Sequence, residues 1–170
     1  MVVLVLGVLG YAADSFLEQR EADRLVARVG EVQSQIGYSQ HRILSTVDYT
    51  RPLLFGASVT PTVQRGLEKL IEDTAAGQVP PLQRQRDRVA NTTVLPWHRA
   101  RQRARTALLA YLDVRIAYLR AVATEVDALY REHPELQPSF DAAQEAFRAM
   151  AGPTGRHRIE VAFAGGITPA

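Results

Sequence analysis

Cysteine is absent from the 170 residues, which excludes both a disulfide framework and a thiolate metal site. Lysine is nearly absent, Lys69 being the only one, so arginine carries the basic charge. That usage reads as a GC-rich codon bias of bacterial type before it reads as phosphate recognition. Neither sign of charge dominates: 20 basic residues face 18 acidic ones. A nucleic-acid-binding domain normally carries a clear basic excess, so this balance argues against one. No Gly-rich phosphate loop opens a helix, since Gly165-Gly166 lies near the end of the chain. The Gly-x-Ser-x-Gly and Ser-x-x-Lys nucleophile motifs are missing as well.

His41, His98, His133 and His157 stand far apart, and the Glu-x-x-His signature of di-iron bundles does not occur. Acids at helical spacing, Glu18 with Glu21 and Glu68 with Glu72, lie among arginines opposite the apolar stripes. They read as solvated faces rather than as an acid–base pair, which needs a desolvated cleft. The expectation is a non-catalytic protein with no metal and no cofactor.

Long apolar runs are equally scarce, with one exception. The first charged residue is Asp14, and the run before it leads directly into a helical pattern. At ~1.5 Å per residue, residues 1–13 supply about 20 Å and residues 1–17 about 25 Å, short of the roughly 20 residues of a full span. Three readings are open: an uncleaved signal anchor, a cleaved secretory signal with small residues at Gly10 and Ala12, and a buried first helix of a soluble bundle. The anchor leads. Arg20, Arg24 and Arg28 come after the run, which by the positive-inside rule places the body in the cytoplasm. Short N-terminal anchors more often export the domain attached to them, and the expectation is a single-pass cell-membrane protein with an extracytoplasmic body.

Helix formers dominate the remainder, and the fold class is all-α. Ala22, Leu25, Val29, Val32, Ile36, Ser39, Ile43 and Thr46 recur in alternating steps of three and four, a heptad rhythm predicting a helix to about Thr50. Thr60-Pro61 is an N-cap with proline at the first helical position, predicting a second helix to Ala76. The stretch 77–81 ends it, and a polar helix is expected next over 82–90. A long helix is expected over 97–132, with Leu108, Leu112, Ile116, Leu119, Val122, Val126 and Leu129 as its stripe. A shorter one is expected over 139–151. The domain division is 1–17 anchor or signal, 18–152 elongated antiparallel helical bundle, and 153–170 an extended or disordered tail.

The candidate contact residues are Arg84, Arg86, Arg88, Arg99, Arg101, Arg103 and Arg105 with Trp97 among them, and the apolar turn Leu53-Leu54-Phe55. The arginines suit a protein partner or anionic lipid, or they solvate the inter-helix turn by pairing with Glu68, Glu72 and Asp73. The leading function is a membrane-anchored accessory or scaffold subunit that acts by protein–protein contact in an envelope complex, with homo-oligomers open. Two alternatives stand beside it. One is an extracytoplasmic small-molecule sensing module, because the layout resembles the four-helix input domains of bacterial receptors; the second membrane run of those domains is missing. The other is an arginine-rich nucleic-acid binder.

Overall fold

The computed structural model describes residues 2–54 and 60–165, which hold helices and no strand. Helix α1 runs over Val2–Leu54, α2 over Pro61–Ala90, α3 over Arg99–Thr124 and α4 over Leu136–Ala164, with a 3₁₀ turn at Val126–Leu129. Cross-chain contacts set the topology. Ser39 meets Gln78, Thr46 meets Thr74 and Glu31 meets Arg88, so α2 descends alongside a rising α1. Arg86 pairs with Asp113, and Arg105 donates to the Thr92 carbonyl, so α3 rises again beside α2. The result is an antiparallel helical bundle.

The heptad face of α1 becomes core: Leu25, Val29, Val32, Ile36 and Ile43 are buried with Ile71, Ala75, Leu82 and Val89 of α2 and Leu108, Leu112, Ile116 and Leu119 of α3. The polar heptad positions, Ser39 and Thr46, also face α2. Ser39 is buried and bonds back to the Gln35 carbonyl at 2.8 Å, which satisfies its hydroxyl inside the seam.

Several boundaries differ from expectation. α2 is continuous through Gly77-Gln78-Val79-Pro80-Pro81 instead of breaking there. Each proline removes one backbone donor and leaves the carbonyl four residues earlier unpaired. Those carbonyls belong to Ala76 and Gly77, which face solvent, while Ala75, Gln78 and Leu82 keep the buried face in register. Similarly, α1 passes Thr50 and Pro52 to Leu54; the carbonyl freed at Asp48 is on an exposed residue. In contrast, α3 stops early, because Glu125 is extended at φ −151°, ψ 120°. The Thr60 cap and Pro61 start are as expected, with the Thr60 hydroxyl accepting from the Val63 amide.

The largest correction concerns the last segment. Residues 153–164 are helical, not an extended tail. Gly152, at φ 64° and ψ −171°, divides α4 into two arms. A straight helix would hold residues 140 and 163 about 35 Å apart. Instead the Phe140 and Phe163 rings lie 5.6 Å apart and those of Phe147 and Phe163 5.5 Å, so the second arm folds back on the first. Ile159 and Phe163 seal that hairpin, and Arg158 ties it to Asp23 of α1.

Among the described residues no helix is long and apolar enough to cross a membrane. The apolar start of α1 is soon joined by Asp14, Glu18, Arg20 and Glu21 on the same helix.

Candidate functional site

The densest polar chemistry lies where α1 emerges from the bundle. Asp14, Glu18 and Glu21 recur at i, i+4 and i+7, which sets three carboxylates on one face of α1. The α2–α3 connection, residues 91–98, crosses that face. His98, only 3% exposed, is clamped between two of them: Nδ1 lies 2.6 Å from a Glu21 oxygen and Nε2 3.1 Å from Asp14. The other Glu21 oxygen accepts from the Leu95 amide at 2.8 Å. Trp97 donates its indole N–H to Asp14 at 3.1 Å and stands edge-on to the His98 ring, centroids 6.0 Å apart. Arg101 completes the row on Glu18 at 2.7 Å.

Burial alone would lower the His98 pKa, but the hydrogen bonds and charges of Glu21 and Asp14 outweigh it and hold the imidazole above its usual 6.5. The Asp14 carboxyl is held below its usual 3.8, chiefly by the Trp97 hydrogen bond and then by His98. With a proton on each ring nitrogen the His98 imidazole donates to both carboxylates at once, and in that state the cluster is a charged latch. Among the described residues no group of histidine and carboxylate side chains has the geometry of a metal site.

This latch was hidden in the sequence. Glu18 and Glu21 look like a solvated face, yet Glu21 is 5% exposed. Glu72 is buried too, held by Arg65 at 3.0 Å. The His98 partners lie 77 and 84 positions away, beyond any spacing rule.

The arginine candidates divide. Arg101 is spent on Glu18, Arg105 on the Thr92 carbonyl, Arg86 on Asp113, and Arg88 lies 3.7 Å from Glu31. None pairs with Glu68, Glu72 or Asp73, as the turn-solvating reading requires; those acids are served by Arg65 and Lys69. Arg84, Arg99 and Arg103 are exposed with no carboxylate partner among the described residues. The first turn of α3 carries Arg99 and Arg101 and no acid, the reverse of what a helix dipole favours. Trp97 is 62% exposed, so it lines no interior cavity.

At the opposite end, the α1–α2 hairpin projects beyond α3 and α4. Residues 61–66 are all exposed. Tyr49 and Leu53 of α1 and Val63 and Leu70 of α2 leave large apolar surface open there. With half-buried Leu67 and the Thr46–Thr74 contact between them, these residues share one side of the hairpin by helical phase. Leu54 closes α1, and Phe55, the third residue of the apolar turn, lies outside the described residues.

Comparison of the chain with protein-family models, with curated proteins and with solved structures returned no match.

Proposed function

We propose that the chain is a membrane-tethered helical scaffold, a non-catalytic accessory subunit that holds a contact surface at a set height above a bilayer. The observation that carries this reading is the continuity of α1. One helix of 53 residues contains the apolar start, the latch, the bundle core and the apolar tip, with no linker between them. Between Leu17 and Leu54, at ~1.5 Å per residue, the tip stands about 55 Å from the end of the apolar run. An uncovered apolar strip at the end of a rod suits a partner, because isolated patches of that kind are costly to leave in water. The absence of any nucleophile motif, and a His98 fully occupied by two carboxylates, favour work by contact over catalysis. The body is assigned to the surface of a cell membrane.

The test is mild detergent extraction of the tagged full chain from its native membranes, beside a variant with Leu53→Ser, Val63→Ser and Leu70→Ser. A stoichiometric partner with the wild type, lost in the variant at unchanged melting temperature, is expected. A solitary species in both preparations overturns the scaffold reading, and a protein recovered without detergent overturns the tether.

A further inference from the structure

We infer that the root of α1 is a membrane-surface docking face, in which Arg20, Arg24, Arg99 and Arg103 form a basic collar for anionic lipid headgroups and Trp97 sits at the interface. The inference rests on the tether reading and adds the lipid class that the bundle recognises.

Glu18–Arg101, Asp14–Trp97 and Glu21–His98 bring the start of α3 and the connection before it alongside residues 14–21 of α1. Arg99 and Arg103 stand two residues either side of Arg101 on α3, about 200° round the helix from its Glu18 contact, and Arg20 and Arg24 lie one turn apart on α1, so the four ring the root. All four are exposed.

Charge bookkeeping separates this end from a merely mixed surface. The acids of α1 at this end are already engaged: Asp14 by Trp97 and His98, Glu18 by Arg101, Glu21 by His98 and the Leu95 amide, Asp23 by Arg158 and Gln19. Residues 1–13 contribute no charged side chain. The four collar arginines are exposed and have no carboxylate partner among the described residues, which leaves their charge to solvent or to a ligand. Continuity with the apolar run selects the occupant. A bilayer alone offers hydrocarbon for residues 2–13 and phosphate for guanidinium groups immediately beside it. Exposed Phe16, Leu17 and Trp97 fill the zone between, where amphipathic rings are favoured. A soluble nucleic acid would use the arginines and leave those apolar residues uncovered.

The experiment is vesicle flotation of the purified full chain, diluted from detergent, with phosphatidylcholine vesicles and with vesicles carrying a third phosphatidylglycerol. The collar variant is Arg20→Gln, Arg24→Gln, Arg99→Gln and Arg103→Gln, all at exposed positions outside the core. Trp97, the only tryptophan, reports depth through quenching by spin-labelled lipids. Expected are roughly tenfold or greater preference of the wild type for anionic vesicles, weakened by salt, and shallow quenching of Trp97. The variant should float equally with both vesicles. Equal flotation of the wild type with both compositions overturns the collar while leaving the tether intact. Flotation with neither overturns the tether itself, and deep quenching of Trp97 overturns the interfacial placement.

Discussion

His98 meets a carboxylate at each ring nitrogen, so both nitrogens must carry protons for both hydrogen bonds to exist at once. Because its folded pKa is raised, the stability it confers is fully present below pH 6.5 and is lost as pH climbs through the folded value. Asp14 works the other way: its pKa is lowered, so its contribution is present above 3.8 and is lost as pH falls through its folded value. The latch is therefore intact between those limits. Trp97 makes this measurable, since a neighbouring imidazolium quenches indole emission. Emission should rise with a midpoint above 6.5, and His98→Gln should abolish the transition; a wild-type midpoint at or below 6.5 would sink the charged-latch account. Gly152 is held at positive φ. Its backbone lies in a region that is essentially glycine-only, and a Cβ there would meet nothing within 4 Å, so the cost of Gly152→Ala is strain alone. Chemical denaturation should show a loss of about 1–3 kcal/mol. Gly30→Ala, in a helix interior with the same open space, should instead stabilise by up to ~1 kcal/mol.

Among the elements, the folded-back arm of α4 departs furthest from what composition suggests. Ile159, Ala162 and Phe163 repeat at i, i+3 and i+4, a one-sided stripe that the overlapping alternation of residues 158–163 obscures. The structure resolves the ambiguity through Phe140 and Phe147, whose rings need a third aromatic to cover them. Phe163→Ala should therefore cost about 3–5 kcal/mol in a denaturation experiment, as a buried core aromatic does. A loss below about 1 kcal/mol would mean that the arm is a loose appendage. The rods themselves were legible: α1 from its heptads, the start of α2 from Thr60-Pro61, most of α3 from its leucine stripe. Errors cluster at proline and at long range. Pro80-Pro81 reads as a break because local rules ignore which way the freed carbonyls face. Glu21 reads as solvated because its partners arrive from the far side of a seventy-residue excursion. The same excursion redistributed the arginines, sending Arg101 and Arg88 to α1 and leaving Arg99 and Arg103 open.

Taken whole, the molecule has two unlike ends. One carries the latch and the open arginines beside an apolar run; the other carries an uncovered hairpin of Tyr49, Leu53, Val63 and Leu70. Five helical segments surround the lower half, counting both arms of α4, whereas the tip rests on α1 and α2 alone. Local stability should track that division. Amide hydrogen exchange should be fastest over residues 48–53 and 61–70 and slowest across Leu108, Leu112 and Leu25, because exposed helical turns open without disturbing the core. Uniform protection from end to end would contradict it.

The lack of a hinge in α1 has a torsional consequence. A helix advances about 100° per residue, so whatever grips residues 2–13 also dictates the compass bearing of the tip. One alanine inserted before Tyr11 would swing the bundle by about 100° around the rod while leaving its fold, latch and height almost unchanged. Four inserted residues would bring the bearing back to within about 40° of the original. A partner that approaches from a fixed side would then be lost and regained with the helical period.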